Sequence, residues 1–471
     1  MNMIEGLKPD IFSHAPAASA FPPDFLWGTA TSAYQIEGAT RLHGRGPSIW
    51  DQFAATPGAT HRGETGDIAA DHYHHMEEDV ALMHKLGLGA YRFSIAWPRV
   101  MPEGTGAVNA RGLDFYDRLV DTLLAAGITP LVTLYHWDLP LALHERGGWL
   151  SRDTALAFAD YTEVVARRLG DRVDWWLTHN EPWCAAFLGY GIGVHAPGIR
   201  DMRSAFMAGH HLLLSHGLAL PRLRDFTRKT AQMGITLNLG PIYPEDDRPE
   251  TLLAAKRADA FVNRWFLDPI FFACYPELLF ADLAIAAPPL EDNDLECIAS
   301  PIDFLGINYY SRKVVRAPEE AYSTRMPRGF EEVARVPGAS YTQMGAGWEV
   351  YPPGLTDLLV RVQRDYAPQA AVVTENGAAF EDAWDGNGAV SDPQRLSYIH
   401  EHIQALEQAL AHGVPLQGYF LWSLLDNFEW SEGYSKRFGM VYVDYPTQRR
   451  IVKESGRWYA DFVSSHRRLR K

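Results

Sequence analysis

Cysteine is scarce in this chain: Cys184, Cys274 and Cys297 are the whole complement among 471 residues. An odd number without a CxxC spacing supplies neither a disulfide framework nor a tetrahedral zinc site, and it points to a reducing compartment. Long apolar runs are missing too. No stretch approaches the ~18 apolar residues of a membrane span, and Met1 to Ala20 lacks a cationic start followed by an apolar core, so the chain reads as soluble and cytoplasmic. Positive charge is outnumbered, with 43 basic against 58 acidic residues and a net charge of −15. Binding to nucleic acid draws on clustered Lys and Arg, so that partner is disfavoured and a neutral small molecule fits better.

Two further absences narrow the chemistry. Gly189-Tyr-Gly-Ile-Gly193 is not followed by a helical pattern, so it reads as loop punctuation and not as a phosphate-binding turn. His72, His74 and His75, like His210, His211 and His216, stand in helical patterns without an HExxH spacing. Structural roles are expected for them, and neither a metal nor another cofactor is implied.

What the chain does have is one unit repeated: a helix, a glycine, then an apolar burst. Glu78 to Leu86 ends at Gly87 before Ala90-Tyr-Arg-Phe-Ser94, and Asp114 to Ala126 ends at Gly127 before Ile128 to Leu134. Thr154 to Leu169 with Gly170 precedes Trp175-Trp-Leu, and Pro393 to His412 with Gly413 precedes Leu416 to Trp422. Glycine there predicts a left-handed helix cap, and Asp392 before Pro393 predicts a capped helix start. Phe25 to Gly28, Met233 to Leu237, Phe304 to Ile307 and Ala371 to Thr374 bring the strand candidates to eight. The length alone would allow two or three domains, and an open doubly wound sheet is the alternative topology. Eight strands with helical crossovers and no linker read most simply as one closed parallel (β/α)8 barrel over residues 21–471, preceded by a short extension, 1–20, that has no need to be ordered. The segment from Ala317 to Gly347 reads as a long loop between the sixth and seventh units.

The strand ends carry polar and aromatic groups: Gln35, Arg92, His136 and Trp137, Asn180 and Glu181, Asn238, Asn308 and Tyr310, Glu375, and Trp422. One such residue would be a loop cap, whereas a ring of them at the ligand-binding end of a parallel barrel points to a site. Glu181 closes Asp174-Trp-Trp-Leu-Thr-His-Asn-Glu-Pro182, and Glu375 closes Ala371-Val-Val-Thr-Glu-Asn-Gly377. Two carboxyl groups converging on one cleft are the minimal equipment for splitting a glycosidic bond. Aromatics are plentiful, at 12% with 14 Trp, and sugar faces stack on such rings, although a large core accounts for most of them.

These segments resemble glycoside hydrolase family 1, the β-glucosidase family, from about Phe21 to Phe462. The resemblance rests on Phe25-Leu-Trp-Gly-Thr-Ala-Thr-Ser-Ala-Tyr-Gln-Ile-Glu-Gly38, Tyr91-Arg-Phe-Ser-Ile-Ala-Trp-Pro-Arg99, Tyr135-His-Trp-Asp-Leu-Pro140, Thr178-His-Asn-Glu-Pro182, Asn308-Tyr-Tyr310, Thr374-Glu-Asn-Gly377 and Trp422-Ser-Leu-Leu-Asp-Asn-Phe-Glu-Trp430, in the family's order. It implies a retaining exo-acting β-glucosidase, tolerant of galactosyl or fucosyl units and serving cellulose and other polysaccharide breakdown. Glu181 matches the family's acid/base and Glu375 its nucleophile, about 5 to 5.5 Å apart. Arg92 and Tyr310 would support the Glu375 anion; Gln35, His136, Asn180, Asn308, Glu429 and Trp430 would bind the sugar over Trp422; Trp348 would face the aglycone. The related 6-phospho-β-glycosidases carry a small hydroxyl residue where Glu429 stands and a tyrosine where Phe438 stands, and a carboxylate repels a phosphate. A transglycosylating β-glycosidase is the alternative, and a non-catalytic sugar-binding protein is disfavoured by the presence of both glutamates. Cys184 is expected to pack, and a homo-oligomer is compatible with the sequence.

Overall fold

The computed structural model describes residues 16–283, 288–318, 329–345 and 347–468. Eight parallel strands close into a barrel: β1 (Leu26–Ala30), β2 (Ala90–Ser94), β3 (Thr129–Tyr135), β4 (Trp175–Asn180), β5 (Gln232–Asn238), β6 (Phe304–Asn308), β7 (Ala371–Asn376) and β8 (Leu416–Trp422). Each strand pairs with its neighbour in sequence, and β8 closes on β1 with Leu26 opposite Gly418 and Ala30 opposite Trp422. The expected (β/α)8 architecture is therefore the observed one. Its strands are buried along almost their whole length because both faces are covered. One face turns inward, where Ala90, Leu131, Leu177, Phe304, Val372 and Phe420 fill the barrel. The other packs on the surrounding helices, with Phe93, Val132, Trp176, Ile235, Val373 and Leu421 in that larger core.

The crossover helices that follow the glycine pattern are α1 (His72–Lys85), α2 (Ala110–Ala125), α3 (Arg152–Leu169) and, after the long α4 (Met202–Phe226) and α5 (Pro353–Tyr366), α6 (Pro393–Ala411), with α7 (Glu454–Arg468) closing the ring. Gly87, Gly127 and Gly413 take the expected left-handed φ of 70°, 69° and 84°. Gly170 does not: its φ of −71° is right-handed, and glycine is needed there because a Cβ would meet the Phe226 carbonyl oxygen at 2.2 Å. Asp392 departs from expectation as well. It occupies the cap position of α6, yet its carboxylate makes no cap bond and accepts instead from Ser455 N at 2.9 Å and from Arg395. Residues 184–191, read as loop punctuation at their glycine end, form a wide helical segment, Cys184–Gly191, after β4.

Of the N-terminal extension, residues 1–15 lie outside the described residues. Ala18–Ala20 form a short 3-10 turn, and Phe21 packs on Phe25, Trp27 and Phe462. Of the long segment 317–347, residues 319–328 and 346 also lie outside the described residues. Its Glu331–Glu332 pairs with Lys313–Arg316, which runs parallel to Ile242–Pro244 in a small sheet above the barrel. No helix among the described residues is long and apolar enough to cross a membrane. The histidines are tied into the scaffold: His72 to Asp79 at 2.8 Å, His210 to Tyr275 at 2.9 Å and His216 to Thr178 at 2.7 Å.

Candidate active site

At the carboxyl ends of the strands a cavity of about 410 Å3 opens, and His136, Glu181, Asn308, Tyr310, Glu375, Trp422, Glu429 and Trp430 all contribute to its wall, with Trp348 at its outer part. Residues as far apart in sequence as His136 and Trp430, 294 positions, thus meet in one space. Three wall residues hold left-handed backbone without being glycine: Trp137 (φ 80°), Glu181 (46°) and Trp430 (52°). Such conformations cost of order 1–3 kcal/mol each and persist where the surroundings over-determine them. Gly377, two residues past Glu375, is required by close approach, since a Cβ would meet the Trp422 carbonyl oxygen at 1.8 Å.

Glu181 and Glu375 are both buried, but their partners differ. Glu375 Oε1 accepts from Arg92 Nη1 at 2.6 Å and Oε2 accepts from the Tyr310 hydroxyl at 2.6 Å. Glu181 Oε1 accepts from the neutral amide of Asn308 at 2.7 Å. A relay joins the two carboxyls, because Asn180 Oδ1 accepts from Arg92 Nη2 at 2.6 Å and from Asn308 Nδ2 at 3.0 Å. Burial pushes the Glu181 carboxyl up, the nearby Glu375 charge pushes it further, and it comes to about 8. Burial raises Glu375 too, while Arg92 and Tyr310 oppose that rise by stabilising its anion. The negative charge of the pair therefore belongs on Glu375 and the proton on Glu181. Glu429, half-buried in the wall, is also pushed up to about 8, by burial and then by Glu375 and Glu181.

Three of the residues expected to touch substrate or nucleophile stand just behind this wall. Arg92 is fully buried beneath Glu375. Asn180 also bonds His136 Nε2 at 3.0 Å through its amide nitrogen. Gln35 Nε2 donates to Asn427 Oδ1, Phe428 O and Glu429 Oε2 at 3.0–3.2 Å, which aims Glu429. The His136 ring lies nearly parallel to Trp422 and Trp430, with centroids 5.9 and 6.0 Å away, and Trp348 packs 5.0 Å from Tyr310. Phe438 is in the wall, whereas Lys436 is outside it and pairs with Glu432 at 3.8 Å.

The outer cavity holds residues that strand-end motifs did not single out: Trp183, Leu188, Leu239, Val262 and Met344, with Arg312 and Lys313 bonded to Glu349 and Glu332. Cys184, expected to pack, is buried and also lines the cavity. Trp183 and Cys184 stand two and three residues past Glu181 and were within reach of sequence reasoning. Val262 lies inside the wide helical turn Ala260–Arg264 and carries no signal. Among the described residues no group of three His, Cys, Asp or Glu is arranged to hold a metal ion.

The arrangement matches known proteins. The profile of glycosyl hydrolase family 1 fits residues 17–468. Beta-glucosidase A of Thermotoga maritima is 48% identical over 95% of this chain and 98% of its own. Thermostable beta-glucosidase B of Thermobispora bispora is 51% identical over 96% and 93%. The solved structure of a Thermotoga maritima beta-glucosidase in complex with glucoimidazole superposes with a TM-score of 0.90 at 47% identity, covering 95% of this chain and 99% of that one.

Proposed function

We infer the reaction from one premise: this chain belongs to glycosyl hydrolase family 1. It removes terminal non-reducing β-D-glucosyl residues, accepting galactosyl or fucosyl units more slowly, and does so with retention. The unequal partnering of the two carboxyls carries this reading. A retaining enzyme needs one carboxyl ionised and one protonated at the start. Glu375, held as the anion by Arg92 and Tyr310, attacks C1 while Glu181 passes its proton to the departing oxygen. Once the glycosyl ester forms, the Glu375 charge is gone, Glu181 becomes the stronger acid, and its carboxylate draws a proton from the incoming water. Asn180 meets the 2-hydroxyl, Gln35, His136, Glu429 and Trp430 the hydroxyls at C3, C4 and C6, and Trp422 the sugar face.

The cavity lies at the small end of the ~300–1,000 Å3 range of ligand pockets, which suits one terminal sugar with its adjoining group. Glu429 stands where the 6-phospho-β-glycosidases carry a small hydroxyl residue, so its bulk disfavours a 6-phosphorylated sugar, and Lys436 is already engaged by Glu432. An apolar outer wall at Trp183, Leu188 and Val262 favours acceptors other than water once the glycosyl enzyme has formed, so transglycosylation is the second reading. Proton NMR of p-nitrophenyl β-glucoside cleavage tests the first: β-glucose appears before the α-anomer. First appearance of α-glucose, or faster cleavage of the 6-phosphoglucoside, would overturn it. Added alcohols that divert product into alkyl glucosides would favour the second.

A further inference from the structure

Glu375 faces the cavity against the rule of its own strand. In β7 the side chains alternate, with Ala371 and Val373 in the outer core and Val372 inside the barrel. Thr374 then faces inward, donating to Asn308 Oδ1 at 2.7 Å and accepting from Thr236. Strict alternation would send Glu375 outward among the helices. The strand slips instead: Val373 pairs with Ile307 but Glu375 with Asn308 on one side, and Val373 pairs with Tyr419 but Asn376 with Leu421 on the other. One extra residue on β7 lets Glu375 follow Thr374 inward, and the outward turn falls to Asn376. Bulges of this kind re-aim side chains.

Asn376 is fully buried, and its amide is used from both ends. Nδ2 donates to Tyr309 O at 2.8 Å and to the Tyr398 hydroxyl at 3.0 Å, while Oδ1 accepts from the Tyr419 hydroxyl at 2.9 Å. Tyr398, on α6, also donates to Tyr310 O at 3.2 Å, and its ring stacks 3.8 Å from His402. The same small network therefore grips the bulge of β7 and the backbone of Tyr309 and Tyr310, and the Tyr310 hydroxyl donates to Glu375 Oε2. We propose that Asn376, held by Tyr398 and Tyr419, is a positioning residue that locks the β7 bulge and so sets the aim of Glu375 and of its Tyr310 donor. The proposal rests on reading Glu375 as the nucleophile.

A dinitrophenyl 2-deoxy-2-fluoro-β-glucoside isolates that aim. A Glu375 oxygen bonds C1, the bond from C1 to the aryl oxygen breaks, and dinitrophenolate leaves with the electron pair and without a proton from Glu181. In Asn376→Ala the labelling rate constant should fall about 100-fold, the scale of an ångström misplacement. Tyr398→Phe, which keeps the ring and its stacking, should lose roughly 5–10-fold. Competitive inhibition by glucose should stay within about threefold of the parent in both, because Gln35, His136, Glu429 and Trp430, which meet the sugar hydroxyls, make no contact with this network. Mass spectrometry of the labelled parent separates the two premises. A label on a carboxyl other than Glu375 removes the reading of the site. A label on Glu375 combined with parent-like labelling in Tyr398→Phe, or with labelling and glucose affinity falling together, overturns the lock.

Discussion

Two buried clusters of charge stand side by side in this molecule and are built on opposite rules. In the first, Asp382, Asp392 and Asp426 meet Arg395, Lys453 and Arg437, three carboxylates against three cations. Lys453 reaches both Asp382 and Asp426, and Gly439 N and Ser455 N add donors at 3.0 and 2.9 Å. Burial alone would raise the Asp426 carboxyl, yet Lys453 and Arg437 hold it below its ordinary value. In the second cluster Glu181, Glu375 and Glu429 face one cavity, the guanidinium of Arg92 is bonded to Glu375 alone of the three, and the other two are pushed up to about 8. Both clusters bear on one segment, since Asp426 and Arg437 lie in the stretch that also supplies Glu429, Trp430 and Phe438. The balanced cluster fixes that stretch to α6 and α7; in the unbalanced one, under the proposed reaction, the proton on Glu181 is the one the leaving group takes. On that reading charge balance gives position, and its absence gives chemistry.

The sharpest way to break this contrast is at Glu375. Glu375→Ala should lower kcat for p-nitrophenyl β-glucoside by roughly 10⁴-fold or more, with the protein still folded. Azide, an anion small enough for the vacated space, should restore cleavage and give the α-glucosyl azide, because one inversion replaces two. A β-azide would place the nucleophile elsewhere. The next effect belongs to Glu181. Glu181→Ala should lower cellobiose hydrolysis by about 10²–10⁴-fold, the usual contribution of a general acid, while labelling by a dinitrophenyl glucoside is nearly spared. Equal losses on the two substrates would show that Glu181 does not carry the proton.

In the balanced cluster the same kind of deletion should act on stability. Lys453→Met leaves Asp382 and Asp426 buried without their shared cation, and breaking a buried pair in this way costs about 3–5 kcal/mol. Urea titration should show that loss as a lower midpoint with an unchanged slope. A variant as stable as the parent would mean that the balanced cluster is no more structural than the one in the active site.

The barrel was legible in the sequence because its signals are local. A glycine after a helix and a short apolar burst each fall within a few residues, and all eight strand candidates became barrel strands. Glu181 and Glu375 were legible for a related reason, each sitting beside the breaker that ends its strand. What sequence could not supply is pairing across distance. Gln35 aims Glu429 from 394 positions away, and Lys453 reaches Asp382 across 71. Asp392 looked like a helix cap because its neighbours in the chain say so, whereas its carboxylate is claimed by Ser455, 63 residues on. The slip in β7 was hidden as well: Ala371 to Asn376 reads as an ordinary buried strand, and only its pairing with β6 and β8 reveals the extra residue.

The smallest effect is the most direct comparison of the two clusters, because it turns on sign. Glu181 has its folded pKa raised to about 8 from an ordinary 4.5. Between those values the folded state holds a proton that the unfolded state has released, so this group lowers stability progressively as pH rises through the window. Glu181→Gln removes that slope. The variant should match the parent near pH 4.5 and exceed it by about 0.5–2 kcal/mol at pH 8, the gain typical of relieving a site built for function. Asp426 has its folded pKa lowered, so its contribution is present above its ordinary value of 3.8 and is lost as pH falls through the folded value. Asp426→Asn should therefore be less stable than the parent at pH 7, with the gap narrowing towards low pH. Thermal melts of both variants from about pH 2 to pH 8 measure the two slopes together. Opposite signs are expected, and a Glu181→Gln variant that loses stability at pH 8 would mean that the active-site cluster is balanced after all.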